Sequence, residues 1–101
     1  MPAISRKGDS LSTGHDCAGT TTLASPGQST VKATGEYIAR IGDNTVSHPF
    51  PPVDAGCPPH VASVNAGSPN VFVEGIAVAR VGDSADAGAM TSGSASVFAN
   101  S

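Results

Sequence analysis

The stretch "GSPNVFVEGIAVARVGD", Gly67 to Asp83, decides the fold. Apolar and β-branched residues flank Glu74-Gly75, and a glycine able to take φ > 0 inside a two-residue loop signals a tight β-hairpin. Pairing across that turn places Val71, Val73, Ile76, Val78 and Arg80 on one face, with Phe72, Ala77, Ala79 and Val81 on the other. Both faces are largely apolar, so the hairpin is expected to be covered on both sides. Val71, Phe72, Val73, Ile76 and Val78 should then all pack inward. The closing Gly-Asp reads as a tight bend. Its Arg is expected to pair with its own Asp or with a backbone carbonyl.

The same pattern recurs along the chain. "GQSTVKATGEYIARIGD", Gly27 to Asp43, lies over Gly67 to Asp83 without a gap, with Thr34-Gly35 in the turn. R-x-G-D occurs at Arg6, Arg40 and Arg80, which are all the arginines of the protein. A further first half, "GSASVFANS", starts at Gly93, while the first R-x-G-D stands near the N-terminus without a first half of its own. Repetition of this kind describes stacked or cyclic units rather than one irregular domain. The pattern amounts to about three units, circularly offset, with the two chain ends meeting inside one of them. Connecting loops run from Ser10 to Pro26, Asn44 to Ala66 and Ser84 to Ser92. All three histidines and both cysteines lie in the first two, as expected where a repeated scaffold carries a site on its loops.

Composition agrees. The 101 residues predict one domain, 1–101, with no effector extension. Gly, Pro and β-branched residues disfavour helix interiors. Only 4% of residues are aromatic, so the core is thin, and small domains of this kind often need a staple, a metal or a partner. A net charge of −3 with scattered basic residues argues against nucleic acid. No run spans a bilayer, and the N-terminus lacks the apolar centre of a signal peptide. Without a secretory signal, Cys17 and Cys57 are expected as reduced thiols in the cytoplasm.

The three R-x-G-D copies, the A-R-φ-G-D frame (φ apolar) and the stretch Gly67 to Asp83 resemble the PAAR-repeat family, the spike-tip proteins of contractile injection systems, in phage tails and in type VI secretion. The four-letter motif itself is absent: the slots read Ala3-Ile4-Ser5-Arg6, Tyr37-Ile38-Ala39-Arg40 and Ala77-Val78-Ala79-Arg80. The resemblance implies an all-β, small conical fold of three pseudo-threefold repeats of short strands and hairpins, with a metal, usually zinc, at the apex, bound by histidine and cysteine. It also implies a flat base seated on a trimeric β-helical spike, VgrG-like or from a phage tail.

The candidate ligands sit where such a site needs them. "HPFPPVDAGCPPH", His48 to His60, holds five of the eight prolines. Within it, Cys57-Pro58-Pro59-His60 is a C-x-x-H pair, a spacing that lets two ligands reach one ion. His48 enters from the other end, and His15 is the matching element of the first loop. His15, His48, Cys57 and His60 make a closed set of three nitrogens and one sulfur, the composition of a structural Zn2+ site, with iron as the alternative. Cys17, two residues after His15, could replace Cys57 or form a disulfide with it. The third loop offers Asp83 and Asp86, read as turn carboxylates. The competing reading of the proline-rich stretch is an extended linker or peptide ligand.

Function follows as an expectation: a non-enzymatic structural tip that caps a membrane-puncturing spike, one copy per trimer. The tip would be cytoplasmic before assembly and then at the end of a virion tail or secreted with the spike, touching the target membrane transiently. The alternatives are a metal-binding adaptor recruiting effector cargo, and a thiol or zinc enzyme using Cys57 and His60.

Overall fold

The computed structural model of the chain describes residues 2–15, 17, 19–49 and 59–99. Among them there is no helix. The protein is all-β, built from short antiparallel strands. Strands β1 (Ser10–Ser12) and β2 (Thr20–Thr22) lie in the first connection, and β9 (Ser84–Ala85) and β10 (Gly88–Met90) in the third. These four form one sheet in the order β2-β1-β10-β9, with Leu11 opposite Met90. All three expected loops are therefore partly strand, and the first and third are joined to each other in this sheet.

The repeated stretches form the expected hairpins. β3 (Lys32–Ala33) pairs with β4 (Glu36–Tyr37), and β7 (Phe72–Val73) with β8 (Ile76–Ala77). The registers, Lys32 opposite Tyr37 and Phe72 opposite Ala77, are equivalent. At each turn both central residues have positive φ: Thr34 and Gly35 at 51° and 85°, Glu74 and Gly75 at 52° and 81°. That conformation follows the right-handed twist of the flanking strands. The third unit is assembled from the chain ends, where Ala3 bridges Phe98 and the Ile4 amide donates to the Val97 carbonyl. Ile38 to Val31 and Val78 to Val71 make the same bond in the other two units.

The units close on one another in rings. The amide of Ser5 donates to Ala79, that of Ala79 to Ala39, and that of Ala39 back to Ser5, at 2.8–3.0 Å. A second ring runs Lys7 to Tyr37, Ile41 to Ala77 and Val81 to Ala3. The bridges Arg6–Ile38, Arg40–Val78 and Arg80–Ile4 repeat the cycle. Ser5, Ala39 and Ala79 are fully buried, and their small side chains allow three strands to converge. On the hairpin side of the ring lies an apolar layer of Ile4, Ala33, Ile38, Val73, Val78 and Ala99; on the loop side lies a second, of Leu11, Leu23, Val64, Ala85 and Met90 with Ala39 and Ala79.

R-x-G-D is the clamp between these layers. In each copy the Asp carboxylate accepts the backbone N–H of its own Arg, at 2.6, 2.7 and 2.9 Å. Gly8, Gly42 and Gly82 hold φ of 84°, 92° and 93°, and nothing would touch an added Cβ. Glycine is therefore required there by the left-handed backbone and not by space. Arg6 and Arg80 reach their Asp through two nitrogens each. Arg40 does not: its Nε stands 3.8 Å from Asp43, whose Oδ1 accepts the Gly27 amide, and that Nε is buried without an acceptor.

One expectation fails. Val73 and Val78 are buried and Val71 partly so, but Phe72 is 51% exposed and Ile76 is exposed as well. The register is as expected; the second cover is missing. With only the repeated units available, no further layer exists among the described residues to lie over the hairpins. Phe98, the counterpart of Phe72 in the chain-end unit, is exposed too, while Lys32 fills that position in the first hairpin and Val31, the counterpart of Val71, is exposed beside it. The result is an apolar rim on the hairpin side.

Candidate metal centre

Beyond the loop-side apolar layer, three histidines and one aspartate converge. His48 and His60 come from the two ends of the proline-rich stretch. Strands β5 (His48–Pro49) and β6 (Pro59–His60) pair antiparallel with His48 directly opposite His60. Directly opposed residues point to the same face of a ladder, so this pairing delivers two imidazoles to one place. His15 arrives from the bend after β1. Asp86 sits in the turn between β9 and β10 with φ of 55°, a left-handed conformation that Asp tolerates better than most residues.

The His15 bend and the Asp86 turn interlock. A Cβ on Gly14 would collide with the Ala87 carbonyl, and one on Gly88 with the Ser12 carbonyl. The Ala87 amide donates to Thr13 at 2.9 Å, and the Asp86 amide to Ser63 at 3.1 Å. The three loops are thus sewn together by backbone contacts beneath the ligands.

The ligand atoms lie within 4.8 Å of one another. Asp86 Oδ2 is 2.8 Å from His15 Nε2 and 2.9 Å from His48 Nε2, and Asp86 Oδ1 is 3.4 Å from His60 Nε2. The Nε2 atoms of His15 and His48 are 3.3 Å apart. The His15 and His48 rings stack at 5.2 Å, and His60 stands edge-on to both. Burial pushes the Asp86 carboxyl up, but hydrogen bonds from His15, His48 and His60 outweigh it and hold the group below its ordinary value.

This arrangement fits a cation better than it fits protons. A carboxylate only accepts, so contacts at 2.8 and 2.9 Å require a hydrogen on both Nε2 atoms. His48, however, donates Nδ1–H to the Val46 carbonyl at 2.9 Å. A hydrogen on its Nε2 as well would face an N–H of His15 across 3.3 Å. One ion at the centre replaces these opposed hydrogens with a single charge. The spacing also suits it: ligand bonds of about 2.0–2.1 Å in a tetrahedron put ligand atoms roughly 3.3 Å apart. With an ion there, the bond from His48 Nδ1–H to the Val46 carbonyl would leave Nε2 free to ligate it, as outer-shell partners of metal-binding histidines do.

Of the residues expected from sequence, His15, His48 and His60 come together, and Cys57 lies outside the described residues. Asp86 was expected to be a turn carboxylate; it holds the turn and also faces all three histidines. Its signal in the sequence was position: it follows Asp83 by three residues, in the third loop, where the other loops supply histidine. Asp83 stays with Arg80, at 2.8 Å. Cys17 is not a reduced thiol, contrary to expectation: it is disulfide-bonded. The expectation rested on compartment, whereas proximity decides whether two sulfurs can join. No protein-family model matches the chain, and no curated protein matches it in sequence.

Proposed function

We propose that the chain is a non-enzymatic tip that caps a trimeric β-helical spike of a contractile injection system, as its resemblance to PAAR-repeat proteins implies. The observation that carries this reading is the closed ring of Ser5, Ala39 and Ala79, which makes one chain pseudo-threefold. A single chain with three similar edges can meet a threefold partner once, on its axis. The ring also separates two ends: exposed Phe72, Ile76, Phe98 and Val31 on one side and, on the other, the His–Asp cluster, where Val46 and Val61 beside His48 and His60 in sequence are exposed as well. Exposed apolar surface of this sort marks an interaction site, and the open end of a trimeric β-helix offers unpaired backbone edges to be covered. The ion at the other end is zinc, held by His15, His48, His60 and Asp86 in a structural role. Four protein ligands close a tetrahedral site and leave no position for a substrate or a reactive water. The tip assembles in the cytoplasm and leaves with the spike.

Light scattering of the purified chain mixed with the end fragment of a trimeric β-helical spike tests the reading. One chain per trimer is expected, and Phe72→Asp or Phe98→Asp should abolish binding while leaving the fold intact. Three chains per trimer, or binding lost on mutation of His60 and kept in Phe72→Asp, would overturn it.

A further inference from the structure

We infer that the disulfide at Cys17 sets how tightly the His15–His48–His60–Asp86 cluster holds its ion. The inference rests on reading that cluster as a metal centre. Three of the four ligands are anchored by regular backbone: His48 and His60 face each other on a ladder, and Asp86 occupies a tight turn between paired strands. His15 lies in the irregular connection between β1 and β2, five residues short of Thr20, where pairing resumes. Two residues beyond it stands Cys17, covalently tied through sulfur. Thr13 holds the His15 amide through its Oγ1 at 3.3 Å, and Gly14 packs against Ala87, on the N-terminal side of the ligand; the sulfur bond is the tether on its C-terminal side. It limits the positions the His15 turn can sample before the ion arrives, and preorganised ligands bind more tightly.

The same residue has the marks of a bond that opens. Cys17 is solvent-exposed, and its φ of 74° is left-handed, a strained conformation for a residue with a Cβ. Exposed or strained disulfides have the higher reduction potentials and are the labile ones. The reductant is a dithiol. Its thiolate attacks one sulfur and forms a mixed disulfide; its second thiol displaces the remaining protein sulfur and closes a cyclic disulfide. Two electrons pass to the protein, and Cys17 and its partner end as thiols, each taking a proton from the reductant. The freed turn then relaxes, and His15 loses its fixed aim at the centre. A chain in reducing surroundings would hold the ion loosely and tighten on it once oxidised.

Cobalt(II) titration of the full chain tests this, read from its visible absorption. One sample is air-oxidised; a second is reduced with a dithiol and desalted without oxygen; a third is Cys17→Ser. The oxidised wild type should bind roughly 10- to 100-fold more tightly than the reduced one, the range seen when a ligand loses its positioning partner. Cys17→Ser should match the reduced form and ignore the reductant. Equal affinity in the two wild-type states would overturn the inference. So would tighter binding on reduction with a new sulfur-to-cobalt band in the near ultraviolet, since a thiolate would then be a ligand and not a tether. If neither state takes up cobalt, the metal reading itself falls, and this control with it.

Discussion

The hairpin side and the loop side of this molecule obey different rules. On the hairpin side the three units are alike: each contributes an R-x-G-D clamp and a residue to the same backbone ring, and two of them close with the same tight turn. On the loop side no two units agree. The first supplies one histidine, the second supplies two from a paired ladder, and the third supplies a carboxylate. A ring closes most simply if its members are alike, whereas four converging side chains on three loops cannot be divided equally. Symmetry is retained where the backbone needs it and broken where the chemistry does.

Enlarging the ring should do most damage. Ala79→Leu puts a large side chain where three strands converge, and a cost near the top of the overpacking range, about 3 kcal/mol, is expected in urea unfolding. Ala95→Leu, on an exposed loop, should stay within about 0.5 kcal/mol. Similar losses at the two sites would dissolve the distinction between framework and loop.

The framework is itself uneven at one point, which sharpens the contrast. Arg80 makes two close bonds to Asp83, at 2.8 and 2.9 Å, while Arg40 leaves its Nε unpaired beside Asp43. Arg80→Met should cost about 1.5–3 kcal/mol, the range for hydrogen bonds to charged groups. Arg40→Met should cost less, because an apolar stem replaces a group already poorly satisfied. A larger loss at Arg40 would show that its contacts to the Val73 carbonyl and Glu74 carry more than their lengths of 3.4 and 3.7 Å suggest.

The smallest effect concerns acid. The folded Asp86 carboxyl lies below its ordinary value, so its contribution is present above the unfolded value and lost as pH falls through the folded one. In chelator-treated protein, urea midpoints measured from about pH 5 downward should therefore fall, and Asp86→Asn should flatten that part of the decline. A parallel decline in the variant would assign acid sensitivity to other groups.

These contrasts also show what could be read from the chain. Turn position, register and circular offset were legible because Glu74-Gly75 and R-x-G-D impose backbone geometry locally, and three copies reinforce one another. The histidines were legible because only three exist and all lie in loops. Asp86 was not, since one acidic residue among eight Asp and Glu carries no mark of its neighbours. The exposure of Phe72 was missed because an apolar pattern says that a face wants cover, not whether the chain has anything to cover it with. The bond at Cys17 depends on a meeting of loops that spacing alone does not specify.

On the proposed reading, one ion joins these unlike loops above a pseudo-threefold frame. Metal analysis of air-oxidised protein prepared without chelator, combined with X-ray absorption at the metal edge, tests it most directly. One zinc per chain is expected, in a shell of four nitrogen and oxygen ligands at about 2.0–2.1 Å, lost in His48→Ala and disturbed in Asp86→Ala. Protein free of any transition metal would contradict it, as would a shell in which sulfur at about 2.3 Å replaces the Asp86 carboxylate.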